Sequence, residues 1–217
     1  MCTHTKCYIF VKIHHWNLME GTQKQIYDCL LKGGRGKIFF AQDFTTLGTS
    51  DSIRQALCAL TDDRIIVRPA RGVYCFPRVV GEYNIHIIYP SKDEIAEAIA
   101  QKSQIRIAPY GDQAAYLMGF TGLQIGRYTY LTDGAPRRIG QKGGDIIFLH
   151  TSEVRIFSFV NITMQLLSLA MRSVGKEGIT PEIRECIRER LSKVPQKELE
   201  HDIKLCPVLV ADLLMKL

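Results

Sequence analysis

The sequence predicts an α+β fold in two parts, and three observations carry that expectation. Ile53, Ala56, Leu57 and Leu60 recur at i, i+3, i+4 and i+7, which is one apolar stripe along an amphipathic helix. Two apolar runs, Ile65-Ile66-Val67-Arg68 and Gly72-Val73-Tyr74-Cys75-Phe76, flank the turn Pro69-Ala70-Arg71-Gly72, the pattern of a β-hairpin. Farther on, short apolar runs give way to long helical periods from Ile162 onward. The expected architecture is an N-terminal winged helix-turn-helix followed by a mixed α/β C-terminal domain with a helical tail. The expected boundaries are an extension at 1–18, the winged unit at 19–80 and the second domain at 81–217.

Each element has a local reason. Residues 1–18 show no clear period and read as an extension, and Met19 suits the start of the folded part. Gly21 to Leu31 has helical spacing and stops at Lys32-Gly33-Gly34, a cation in the last turn before glycines. Lys37 to Phe40 predicts a strand. Ala41 to Leu47 predicts a short support helix, with Gly48 as the turn and Thr49-Ser50 as the cap of the next helix. Gly81 to Pro90 reads as a linker. Beyond it, helices are expected at Ser91–Ala100 and Ala114–Gly119. Strands are expected at Ile105–Ala108, Tyr128–Leu131, Ile146–Leu149 and Val154–Val160. The tail reads as helices at Ile162–Val174, Pro181–Lys193 and Val208–Lys216, with Pro181 in the first position after a Thr180 cap.

Composition narrows the class. The 217 residues hold 46% hydrophobic and 23% charged residues, enough apolar mass for real cores. No run of about 18 apolar residues predicts a membrane span, and the first sixteen residues lack a signal-peptide core, so a cytoplasmic protein is expected. Seven cysteines without a CxxC pair argue for reduced thiols, with Cys29, Cys58 and Cys75 as small core residues. The net charge of +6 is uneven: residues 32–78 hold eight Lys or Arg against four Asp. Local positive charge of that kind is the sequence-independent part of DNA affinity.

The predicted helix after Gly48 would place side chains in a DNA groove. Arg54 and Gln55 suit base readout, since Arg pairs with guanine and Gln with adenine. Thr49, Ser50 and Ser52 suit phosphates or bases, and Arg68 and Arg71 suit a wing that meets the backbone or minor groove. The same residues fit a plainer account. Arg54 can pair with Asp51 or Asp62, Asp51 repels phosphate, and winged helices also serve as protein-binding modules. A second basic spot, Arg127, Arg137, Arg138 and Lys142, reads either as a contact surface or as a solvated loop held by Asp133.

The stretch IFFAQDFTTLGTSDSIRQALCALTDDRIIVRPARGVYCFP resembles the N-terminal winged-helix domain of AbiEi-like antitoxins. YPSKDEIAEAIAQKSQIRIAPYG, YLTDGAPRRI and ELEHDIKLCP are similar to that family's second domain, so the resemblance spans about residues 20–217. It departs at Arg64, where the family commonly carries Gly. The resemblance implies a bacterial antitoxin that binds its own promoter as double-stranded DNA and represses a two-gene operon. The functional partner it implies is a nucleotidyltransferase-like toxin, opposed without a stable complex.

Other chemistry finds little footing. Gly33-Gly34-Arg35-Gly36-Lys37 lacks the first Gly and the Ser/Thr of a phosphate loop. Cys2, His4, Cys7, His14 and His15 fit no standard zinc spacing. Glu198, Glu200, His201 and Asp202 read as a charged surface, and Glu94 and Glu97 as solvated. No catalytic activity, cofactor or metal is expected. The rivals are a winged-helix interaction module and a ligand-sensing regulator with the second domain as sensor.

Overall fold

The computed structural model describes residues 19–80, 86–122, 126–141 and 143–216. The expectations for residues 1–18 and for Lys142 lie outside them. The chain is a mixed α+β protein built as two compact units, Met1–Ile95 and Ala96–Leu217. The expected border at 80/81 falls within the first unit.

The first unit opens with helix α1 (Gly21–Gly33), which ends where Gly34 turns left-handed and its N–H reaches the Leu30 carbonyl. Strand β1 (Ile38–Phe40) follows, then helix α2 (Ser50–Asp62) and strands β2 (Val67–Ala70) and β3 (Val73–Cys75). The three strands form an antiparallel sheet in the order β1-β3-β2, with Phe39 opposite Tyr74 and Ala70 opposite Val73. The register shifts between Val67 and Ala70, so the hairpin carries an irregularity in its first strand. Ile26 and Leu30 of α1 share a core with Ile53 and Leu57 of α2, and Phe39 and Tyr74 close it from the sheet.

Two local expectations change here. The support helix expected at Ala41–Leu47 is a single 3-10 turn at Ala41–Phe44. Asp43 accepts from the Phe40 N–H at 2.8 Å, which starts the turn, and the β-branched Thr45 and Thr46 and then Gly48 follow, residues poor at continuing a helix. The helix that packs against α2 is α1. Gly48 also differs from its expected role: a Cβ there would sit 2.5 Å from the Ser52 hydroxyl and 3.0 Å from Thr22 Oγ1, so close approach is what requires glycine.

Helix α2 ends in a Schellman motif. Ile65 N donates to Leu60 O at 3.0 Å and Arg64 N to Thr61 O at 3.0 Å. The left-handed residue that this motif needs is Arg64, at φ 57°, a backbone state glycine adopts more easily.

The expected linker is partly sheet. Strand β4 (Arg78–Val80) pairs antiparallel with β5 (His86–Ile88), Arg78 opposite Ile88 and Val80 opposite His86. Helix α3 (Lys92–Ser103) contains the border between the units. Its start is a capping box: Ser91 Oγ accepts from Glu94 N at 3.1 Å, and the Glu94 carboxylate accepts from Ser91 N at 2.7 Å.

The second unit holds a four-stranded sheet of β6 (Ile107–Pro109), β7 (Arg127–Thr132), β8 (Arg137–Ile139) and β9 (Asp145–His150), in the order β6-β7-β9-β8. The pairing of β7 with β9 is parallel and the other two are antiparallel. Strand β8 occupies what reads in the sequence as a loop. Helices α4 (Asp112–Leu117), α5 (Ile162–Val174), α6 (Pro181–Leu191), α7 (Gln196–Asp202) and α8 (Val208–Leu214) complete the unit. The long apolar helix α5 buries Leu167, Ala170 and Met171 against Met118, Ile187 and Val210. The strand expected at Val154–Val160 is instead a 3-10 turn at Val154–Phe157, closed by Ser158 N donating to Arg155 O at 3.0 Å.

Candidate nucleic-acid interface

Helix α2 presents its polar side from a well-made start. Thr49 is extended at φ −72° and ψ 159°, and its hydroxyl accepts from Ser52 N at 3.3 Å. Ser52 Oγ donates back to the Thr49 carbonyl at 2.9 Å. The hydroxyls of Thr49 and Ser52, both candidates for phosphate contact, are thus engaged in capping, while Ser50 is exposed. Arg54 and Gln55 are exposed. Arg54 Nη2 lies 3.4 Å from Asp51 Oδ1, with the two side chains 73% and 83% accessible. An ion pair in that much water is worth about 0.2–1 kcal/mol and leaves the guanidinium available.

On the hairpin, Arg68 is exposed and lies over the Tyr74 ring at 5.7 Å. Arg71 occupies the two-residue turn with Gly72, whose positive φ of 75° is the value that a turn with a left-handed second central residue needs. Arg71 is exposed and has no hydrogen-bond or ion-pair partner among the described residues. Beside the sheet, Arg35 packs 4.3 Å above the Phe76 ring and donates to the Pro77 carbonyl at 3.0 Å. Arg78 meets Glu94 at 3.6 Å. Among the described arginines of this unit, Arg35 and Arg78 are held, whereas Arg54, Arg64, Arg68 and Arg71 are exposed on the helix, its C-terminal turn and the hairpin.

The cysteines divide as well. Cys75 is buried, and burial, with the Glu94 charge adding, pushes its thiol up to about 11. Cys58, expected in the core, is exposed on α2, since it falls off the Ile53–Leu60 stripe.

The second basic spot is organised differently. Arg137 is half-buried: it lies 5.0 Å over the Phe148 ring, donates to Ser103 Oγ at 3.0 Å, and burial lowers its pKa. Arg138 Nε donates to Asp145 at 2.6 Å and holds that carboxyl below the usual range. Asp133, expected to hold this loop, pairs with Arg106 instead, at 2.8 Å through both the backbone N–H and Nε. Those bonds hold the Asp133 carboxyl below its ordinary pKa. Arg127 stays exposed. The three described residues, Arg127, Arg137 and Arg138, thus do not form one free cationic surface.

In the acid–His cluster of the tail, Glu200 and His201 are exposed as expected, but Asp202 is not on the surface. Asp202 is fully buried and accepts from Val160 N at 3.0 Å, Asn161 N at 2.8 Å and His201 Nδ1 at 2.8 Å. Asn161 donates to Glu198 at 2.7 Å and caps helix α5 through Thr163 N. This staple joins segments about forty residues apart. No short-range pattern in the sequence marks it.

The second unit also contains a cleft of about 850 Å³. Its walls include Tyr110, Asp112, Phe120, Arg127, Ser173 and Ile183. Among the described residues no group of His, Cys, Asp or Glu is placed to hold a metal ion, and no helix is long and apolar enough to cross a membrane.

No curated protein matches the chain. Among solved structures it is similar to the RV2827C protein from Mycobacterium tuberculosis, at 14% identity over 82% of this chain and 76% of that one, with a TM-score of 0.42. Residues 25–202 match the model of a family of unknown function (DUF6088), so the chain belongs to that family.

Proposed function

We propose that the N-terminal unit is a winged helix that binds double-stranded DNA, and that the protein is the antitoxin and autorepressor of a bacterial toxin–antitoxin operon. The observation that carries the DNA half is the exposed polar face of α2, followed directly by an antiparallel hairpin with Arg71 at its tip. The element order supports it: a helix, a strand, a turn, a second helix and a hairpin, with β1 closing the sheet beside β3. On this reading α2 is the recognition helix and α1 the helix that braces it. Arg54 and Gln55 read bases, Arg68 and Arg71 serve the wing, and Ser50 contacts phosphate. The antitoxin half rests on the resemblance to AbiEi-like antitoxins, with a nucleotidyltransferase-like toxin as functional partner.

The test is titration of the full-length protein against its own upstream DNA at several salt concentrations. Affinity should fall steeply with salt, and Arg71→Ala should reduce the slope of log K against log salt by about 1. Arg54→Ala should cost about 1–3 kcal/mol at one base pair. Absence of salt-sensitive binding would leave the unit as a protein-interaction module. Co-expression with the product of the adjacent gene tests the antitoxin half, which predicts rescue of growth.

A second reading has its own observation. The cleft beside Tyr110 and Arg127 is within the size range of small-molecule sites. It favours a regulator whose second unit senses a ligand, and a reproducible thermal shift with a metabolite would support it.

A further inference from the structure

The helix offered to DNA carries the wrong net charge for gripping phosphates. Between Ser50 and Asp62 it has one cation, Arg54, and two anions, Asp51 and Asp62. Asp62 lies at the far end, whereas Asp51 stands in the first turn, where a recognition helix meets base edges. At about 100° per residue, Asp51 and Gln55 lie opposite the buried stripe of Ile53, Leu57 and Leu60, with Arg54 beside them. All three side chains are exposed. A carboxylate at that place repels phosphate unless it meets a hydrogen-bond donor, and the donors in the major groove are amino groups, above all cytosine N4.

We propose that Asp51 is a specificity-determining residue. It accepts from the N4 amino group of a cytosine next to the guanine read by Arg54, and it rejects duplexes that present an acceptor there. This rests on the DNA-binding reading above. The geometry carries it in two ways. Three residues of helix rise about 4.5 Å, close to the roughly 3.4 Å between stacked bases, so Asp51 and Arg54 address neighbouring positions. The 3.4 Å approach of Arg54 Nη2 to Asp51 Oδ1 holds both side chains on the outer side of the helix before DNA arrives. The helix then supplies discrimination, and attraction comes from the arginines of the hairpin.

The experiment is selection from a randomised duplex pool, at one fixed salt concentration, with the full-length wild type, Asp51→Ala and Asp51→Asn. Salt titrations of each follow. The wild type should enrich cytosine at one position beside a guanine. Asp51→Ala should flatten that position, losing about tenfold discrimination by binding mismatched duplexes better. Asp51→Asn, which offers both a donor and an acceptor, should move the preference toward adenine. Equal gains by both variants on every sequence would overturn the proposal, because Asp51 would then be only a repelling charge; salt-sensitive binding by the wild type would still stand. A wild type that binds no DNA would end both readings. Thermal melting of each variant separates lost discrimination from lost folding.

Discussion

Arginines are common in both units, but the two candidate basic sets are held differently. In the first, Arg54 has only an exposed neighbour at 3.4 Å, Arg68 lies across a tyrosine ring, and Arg71 faces water. In the second, Arg106 is tied to Asp133, Arg138 to Asp145, Arg172 to Glu153, and Arg137 to Ser103 and the face of Phe148. The partners lie 27 residues away for Arg106 and 34 for Arg137. A count of charges along the chain treats both sets alike. What separates them is how closely folding brings the partner: 2.8 Å for Arg106 and 2.6 Å for Arg138, against 3.4 Å for Arg54. Cations that folding leaves unsatisfied are the ones available to a phosphate.

The contrast predicts that charge removal in the second unit harms stability, and in the first unit binding. The largest effect should come from Asp202→Ala, which removes the buried acceptor of the part-buried Val160 and Asn161 amide bonds. It should lower the unfolding free energy by about 3 kcal/mol in a urea titration, with DNA affinity unchanged for the folded fraction. An unchanged midpoint would mean water replaces the carboxylate and the site is open after all. Arg137→Ala comes next: loss of the ring contact and the Ser103 bond should cost about 1–2 kcal/mol and leave the salt slope alone. A flatter slope would break the comparison by making Arg137 a DNA contact. The smallest effect sharpens it from the other side. Arg64→Gly should raise stability by about 1 kcal/mol or less, because glycine takes the left-handed state without strain. A lower melting temperature would show that the Arg64 side chain supports the turn.

Much of the first unit was legible because its signals are local. The stripe from Ile53 to Leu60 and the cap at Thr49 lie within single elements, and each is found where expected. Thr180 before Pro181 and the apolar period of α5 behave the same way. Arg64, singled out in the sequence because the family it resembles carries Gly there, is a position of positive φ. The failures share a different cause. Ala41–Leu47 makes only one 3-10 turn before the β-branched pair Thr45-Thr46. Strands β5 and β8 are short, polar or charged at their ends, and exist through partners that no local pattern announces. Asp202 looked like surface because its neighbours are charged, yet the amides it satisfies come from a distant turn. Of the candidate site, the exposure of Arg54, Gln55, Arg68 and Arg71 matched expectation. The engagement of the Ser52 hydroxyl in the cap, and of Arg137 and Arg138 with partners of their own, did not.

The order of strands in the second sheet bears on synthesis. Strand β9 lies between β7 and β8 although it leaves the ribosome after both. Until residue 150 has emerged, β8 has no neighbour to pair with and β7 lacks its parallel mate. A nascent chain halted before that point would therefore expose an open, aggregation-prone edge on β7, and the sheet closes only by threading its last-made strand into the gap.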